Sequence, residues 1–509
     1  MADQLLRYYE REMSFLRQMG GEFATKYPKI AERLLLDGDK CEDPHVERLI
    51  QAFAFLSGRI HKKLDDEYPE VVEGLLSTLY PHFLAPIPSM SVVQFVLKPN
   101  PGQLNNGCSI ERGSILSSPP VAGTPCHFRT CSPLTLWPIE VVSARLTPPD
   151  VGATSKTVAT IKISLRCVGG SRLTDLSVDS LRFFIDGETQ LTYPLYELLF
   201  NNVCEVHLKG GDGKSSPVAV KLEKSSLQPV GFASDEALLP YPSRSFQGYR
   251  LLQEYFAFPQ KFLFFELRGL HRMAASGFGD TVEISFQLDR QPRLEQTITV
   301  NTFRLGCTPV INLFKRIAEP LRWNYAQMEY RVVPDVRRPN STEVYSIDGV
   351  SVTTPDLPEA IPYEPFYSFK HQGSTDQHRP FWHAVRRPSE RKGDDGTEMY
   401  LSLVDLDFQP TRPACETVLV HTTCTNRDLP AKLPFGGDRG DFELEGVAPP
   451  VARIRCLVKP TETLRIPMGG GLQWRLISHL SLNYVSISQG GIFFEVFLVF
   501  SPSRCGNGP

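Results

Sequence analysis

The stretch FQGYRLLQEYFAFPQKFLFFELRGL, Phe246–Leu270, limits what the chain can fold into more than any other segment. It gathers Phe246, Tyr249, Tyr255, Phe256, Phe258, Phe262, Phe264 and Phe265 into one short run. Leu251, Leu252, Tyr255 and Phe256 recur at helical spacing, and Pro259 ends that helix by removing a donor and clashing with the preceding turn. Lys261–Leu267 is too short and too apolar for a second helix and reads as a strand buried on both faces. Each buried ring contributes roughly 1.5–3 kcal/mol, so a helix–proline–strand corner this rich in rings sits inside other elements. Tyr249, Tyr255, Phe256, Phe262, Phe264 and Phe265 are therefore expected in the core, with Trp474 as a later core aromatic. Such a stripe signals packing and carries no chemistry of its own.

The length of 509 residues exceeds what one small core organises, so three or four domains are expected. Hydrophobic residues at 41% and charged residues at 22% fit ordinary globular domains. The 42 prolines exceed the usual share of about 5% and favour short strands, turns and irregular connections over long helices. A net charge of −3 implies no sequence-independent pull toward nucleic acid or an anionic membrane. The polar start (Asp3, Gln4, Arg7, Glu10, Arg11) lacks a signal-type apolar core. The longest apolar run, Ile492–Phe500, contains Glu495 and falls far short of the ~20 residues a span needs. Eleven cysteines, an odd and scattered set, fit free thiols in a reducing cytoplasm.

The first ninety residues read as helical. Tyr9, Met13, Leu16, Phe23 and Tyr27 form a narrow, heptad-like seam on a helix over Asp3–Pro28, with Gly20 on that seam where another backbone could approach. So narrow a seam calls for a helix partner, including one from another chain. Asp43 is the N-cap of a second helix and Pro44 its first residue. Val46, Leu49, Ile50, Phe53, Leu56, Ile60 and Leu64 mark its buried stripe. Pro69 opens a third helix with Val72, Leu75, Leu76 and Leu79, and Pro81 closes it. After Pro88 the pattern turns to β. Ala159–Cys167 and Val282–Leu288 alternate apolar and polar, as strands of an antiparallel sheet with one wet face do. Arg145–Lys156 and Gly210–Pro217 read as loops. The expected class is thus α+β and multidomain, an N-terminal helical region followed by mainly antiparallel β domains. The expected segments are 1–90, helical; 91–240, β; 241–340, an aromatic-cored α/β region; 341–487, β-rich; and 488–509, an atypical tail.

The block DPHVERLIQAFAFLSGRIHKKLDDEYPEVVEGLLSTLYPHFLAPIPSMS (Asp43–Ser91) resembles the N-terminal signature of the TssF family, also called ImpG or VasA, of type VI secretion baseplate proteins. Tyr8–Leu34, Ser243–Leu270, Pro309–Arg338, Val344–Val350, Cys424–Pro434 and Trp474–Ile487 are similar to the same family, so the likeness spans nearly the whole chain up to Ile487. The tail Ser488–Pro509, ending IFFEVFLVFSPSRCGNGP, does not resemble the family's C-terminal continuation and reads as a shortened or altered end. The resemblance implies a cytoplasmic wedge component of a baseplate docked at the inner-membrane complex. In the family two TssF copies join one TssG, the wedge carries TssE and recruits TssK, and wedges ring the VgrG hub beneath the sheath. Self-association follows, with no cofactor, no nucleic acid and no membrane insertion. Tyr9, Met13, Leu16, Phe23, Phe53 and Leu56 are the candidate partner interface.

Catalytic and metal constellations are weak. Gly213-Lys214-Ser215 lacks the glycine a P-loop needs five residues earlier, where Leu208 stands. His61 and Asp65 could share a helical face, but no nucleophile accompanies them, and the run with Lys62, Lys63, Asp66 and Glu67 reads as a solvated charge cluster. Cys415, His421 and Cys424, like Cys126, His127 and Cys131, lack the close pairs of structural zinc sites. Arg386, Arg387, Arg391 and Lys392, followed by Asp394 and Asp395, read as an exposed loop of mixed charge. A soluble β-rich hydrolase or carbohydrate-binding protein is the alternative to an assembly subunit.

Overall fold

A computed structural model describes residues 2–481 apart from 38–39, 42, 66–71, 73, 78–79, 99–103, 150–155, 211–217, 243–244, 324–326, 354–359, 367–380, 405–416, 438–439, 447–449 and 467–471. The tail and the glycine-rich Gly213–Ser215 lie outside these residues. The chain divides into two compact units, Met1–Leu84 with Ile466–Pro509, and Ala85–Arg465.

The first unit is built on α1 (Ala2–Lys26), α2 (Pro28–Arg33) and α3 (Pro44–Asp65). Asp43 caps α3 as its sequence predicts, its carboxylate accepting from His45 N–H at 2.8 Å. Residues 74–77 are helical, with Val72 and Leu76 buried. Pro81 starts a short helix, Pro81–Leu84, instead of only ending the one before it, because the first helical position does not need the N–H it lacks.

The second unit is β throughout, with short helices between strands. Its five-stranded sheet runs 218–222, 203–210, 281–288, 159–167, 139–147, all antiparallel. The two alternating segments read from the sequence are neighbours here, Ile161 opposite Phe286 and Ile163 opposite Ile284. Their outer face is less wet than the alternation suggests, since Thr160 and Ser285 are buried as well. A four-stranded sheet orders 227–229, 264–268, 180–185, 303–304. A six-stranded sheet brings Met90–Leu97 against Val451–Cys456, and Cys307–Ile311 lies on the other side of Met90–Leu97. The largest sheet contains 417–425, 343–353, 381–388 and 397–404 around one core that includes Val350, Trp382, Leu401 and Val418. The borders expected at 240/241 and 340/341 are therefore corrected. Strand 180–185 pairs with 264–268, and strand 343–353 shares a sheet with 314–317, so both borders cut through sheets.

The aromatic corner forms, with its helix turned the other way. Gln247–Ala257 is helical, Pro259–Phe262 is one 3-10 turn, and Phe264–Arg268 is the strand. Phe264 and Phe265 are buried, facing Phe184 at 4.8 Å and Phe183 at 5.0 Å between ring centres. Phe265 also meets Phe286 of the five-stranded sheet, edge-on, at 6.3 Å. Tyr249 and Phe262 are buried. Tyr255, expected in the core, is 47% exposed, and Phe256 is only partly covered. The helix buries Arg250, Gln253 and Glu254 instead. Glu254 bonds Lys261 and accepts from the N–H groups of Leu238 and Leu239 at 2.8 and 3.1 Å. Satisfying that buried carboxylate fixes the helix rotation, which leaves Tyr255 outside. Trp474 is also corrected: on helix Leu472–Ser481 it is 48% exposed, while Gln473 and Leu476 point inward.

Candidate functional site

α1 and α3 pack against each other through small contacts. A Cβ on Gly58 would lie 3.1 Å from Tyr9 N, so the two backbones approach where glycine alone fits without adjustment. Met13 and Ala54 are buried. Two polar bridges tie the middle of α1 to α3, Glu12 to His61 Nδ1 at 2.8 Å and Arg17 to Glu47 at 3.0 Å, the later residue of one meeting the earlier residue of the other, so the helices run antiparallel. His61 thus turns to Glu12 on the other helix. Gly20, which the seam nominated for close approach, has nothing within 4 Å of where its Cβ would be.

Because the helix pair is sealed by small residues, its large ones are left over. Leu49, Phe53, Leu56 and Ile60, spaced four, three and four apart, form one stripe on α3 and are 54–70% exposed. Phe55 is exposed too, and α1 presents Leu6, Phe15, Met19 and Phe23. The stripe predicted as buried is therefore corrected: Leu49, Phe53, Leu56 and Ile60 face outward, and Val46 and Ile50 are half-buried. Among the nominated interface residues, Phe23, Phe53 and Leu56 lie on the surface and Leu16 is partly exposed. Tyr9 backs onto Gly58, and Met13, only 6% exposed, sits beneath the surface instead of on it. The additional residues Phe15, Met19 and Phe55 were missed because a helical wheel ranks apolar faces by size. It does not reveal that Ala54 and Gly58 form the seam.

The other clusters do different work. Arg386 is buried and donates to Val344 O at 2.8 Å, Tyr345 O at 2.6 Å and Thr397 Oγ1 at 2.7 Å. Its neighbour Asp394 bonds the buried Arg427. The charge run read as an exposed loop is partly a buried polar network, and burial holds the Arg386 guanidinium below its ordinary pKa. Cys126 and Cys131 are buried thiols, both pushed up to about 12 by desolvation, which disfavours the thiolate that a metal needs. Cys415 lies outside the described residues. Within strand 417–425, His421 is exposed and Cys424 buried. Among the described residues no three His, Cys, Asp or Glu side chains are grouped to hold a metal ion. Among the described residues, Ser117, His127 and Glu445 come nearest to a nucleophile site. There Ser117 Oγ lies 2.9 Å from His127 Nδ1, and the Glu445 carboxylate meets that same nitrogen at 3.2 Å. A relay needs the carboxylate on the far ring nitrogen from the nucleophile, so this triangle does not set up one. No helix among the described residues is long and apolar enough to cross a membrane.

An exposed apolar stripe on a long helix marks a surface that another protein can cover. The family described as Type VI secretion system, TssF, matches residues 1–493 of the chain. The chain belongs to the TssF family. It is 39% identical to the type VI secretion system component TssF1 of Pseudomonas aeruginosa PAO1, over 96% of this chain and 82% of that protein. It is similar to a chain in the cryo-electron-microscopy structure of the TssK-TssF-TssG baseplate subcomplex (TM-score 0.70, 26% identity, 89% of this chain and 81% of that one). It is similar also to a chain of the baseplate complex from the type VI secretion system (TM-score 0.54, 25% identity, 96% and 82% covered). TssF is a component of the type VI secretion system, and the blocks Asp43–Ser91 and Ser243–Leu270 take in α3 and the aromatic corner.

Proposed function

We propose that this chain is a structural, non-enzymatic subunit of the secretion baseplate and that it joins TssG and TssK through the apolar surface of α1 and α3. The observation that carries the reading is the stripe Leu49, Phe53, Leu56 and Ile60 on α3, together with Phe15, Met19 and Phe23 on α1, large apolar side chains all exposed to solvent. Such faces are covered in obligate assemblies, where interfaces commonly exceed about 2,000 Å² and resemble a core cut in half. Similarity to chains solved inside baseplate complexes supports the choice of partners. In the finer reading two copies meet one TssG in a wedge that carries TssE, wedges ring the VgrG hub beneath the sheath, and the baseplate docks at the inner-membrane complex. Rearrangement of the packed interfaces then couples docking to sheath firing. The partly exposed Leu16 and the exposed Phe23 give the test. Replacing both by Asp is expected to abolish copurification with TssG while the β unit keeps its melting transition. Undiminished copurification of the double variant sinks the proposal.

A further inference from the structure

In the β unit a cavity of about 960 Å³ opens between strands 90–97, 139–147 and 180–185 and the segment Val300–Gly306. Two of its walls are strand edges. Ile139–Thr147 is the outermost strand of the five-stranded sheet. Val168 N–H donates to Pro138 O, so Pro138 and Glu140 turn their main-chain groups into the sheet. By alternation those of Val141 point away from it. Ser180–Ile185 is paired with Phe264–Arg268 along nearly its whole length on one side, but on the other only Phe184 and Ile185 have partners, Arg304 and Phe303. Ile185 N–H donates to Leu263 O and Asp186 N–H to Thr302 O. The same alternation therefore aims the main-chain groups of Ser180 and Arg182 at the cavity, past the point where Phe303–Arg304 stops.

The side chains around these edges are mixed. Leu97, Trp137 and Phe303 line the cavity with apolar surface, and most of the charges around it are paired, Arg166 with Glu140, Arg182 with Glu236 and Glu266, Arg304 with Asp186 and Asp179 with His271, with Lys98 the further charge in the lining. A largely matched rim does not select a highly charged ligand. Main-chain donors and acceptors left open along a strand are instead what another extended polypeptide satisfies. Resting on the assembly reading above, we propose that this cavity receives an extended, uncharged segment of a protein partner in the baseplate. The segment adds as an antiparallel strand beside Ser180–Arg182, continuing the position that Phe303–Arg304 begins.

Amide hydrogen exchange on the full chain, alone and copurified with TssG and TssK, tests this. In the free chain the Ser180 and Arg182 amides are expected to exchange quickly while Leu181 and Phe183 stay protected. In the complex the first two should slow at least tenfold. Ser180→Pro removes the outward N–H at the first residue of the strand, a position where proline is tolerated. It should leave the melting temperature unchanged while abolishing the slowing at Arg182, whereas Ser180→Ala, which keeps the N–H, should preserve it. Unchanged exchange at Arg182 in the wild-type complex overturns the proposal, as does full slowing in Ser180→Pro. If the wild-type chain does not copurify with TssG or TssK, the assembly reading falls and this inference falls with it.

Discussion

Glu343 sits at 1% exposure and holds its charge because three groups answer it. Arg465 reaches Oε2 at 2.7 Å, and Thr397 donates from both N–H and hydroxyl at 2.8 and 2.6 Å. Burial raises the carboxyl's pKa, but these bonds and the nearby guanidinium groups outweigh it and hold it below the ordinary value. A carboxyl lowered on folding stabilises above its unfolded pKa of about 4.3, and that contribution fades as pH falls through the folded value. The denaturation midpoint of the wild-type β unit is thus expected to decline below about pH 4.3. Glu343→Gln is expected to flatten that acid limb and to cost about 3–5 kcal/mol at neutral pH by taking the compensating charge from the buried Arg386 and leaving Arg465 with Asp428 alone, as urea melts across pH would measure. The two faces of the aromatic corner give a second contrast. Phe264→Ala should cost about 3–5 kcal/mol through loss of a buried ring against Phe184. Tyr255→Ala, at a half-exposed ring, should cost about 1 kcal/mol in the same denaturant series.

At the scale of elements, the α1–α3 pair shows how a small residue decides what a helix offers to others. With Gly58 against the Tyr8–Tyr9 backbone, the helices meet along Met13 and Ala54, and their large apolar side chains are turned out. A side chain at 58 must push the helices apart. Gly58→Val is expected to destabilise the helical unit by about 1–3 kcal/mol, seen as faster amide exchange along α1. The helix Gln247–Ala257 follows a different rule. Its rotation is set by the buried Glu254–Lys261 pair, and Lys261 in turn has its pKa lowered by burial against the opposing pull of Glu254. Apolar periodicity was legible in both helices, but neither the glycine seam nor the buried ion pair has a periodic signature.

At the scale of the whole molecule, the division into Met1–Leu84 with Ile466–Pro509 and Ala85–Arg465 implies two cooperative units. Calorimetry is expected to resolve two transitions, with Gly58→Val lowering one and leaving the other in place. A single transition shifted as a whole would count against independent units. The β unit draws its sheets from distant parts of the chain, Met90–Leu97 pairing with Val451–Cys456 and Ser180–Ile185 with Phe264–Arg268. Sequential segmentation cannot anticipate such pairings, which is why borders drawn at composition changes crossed the sheets.

The amino-acid sequence by itself determined the helical start with its Asp43 cap, the alternating strands at 159–167 and 281–288, the helix–proline–strand corner and membership in the TssF family. Each is written in local spacing or in residue identity, and needs no distant partner to be read. Only the tertiary structure decided which faces are covered. Burial is settled between elements, by whether Gly58 admits a neighbouring backbone and whether Glu254 finds Lys261. Those contacts exposed Phe53, Leu56 and Tyr255 and hid Glu254, while Arg386 was hidden by Val344, Tyr345 and Thr397, where charge alone would have placed it in water.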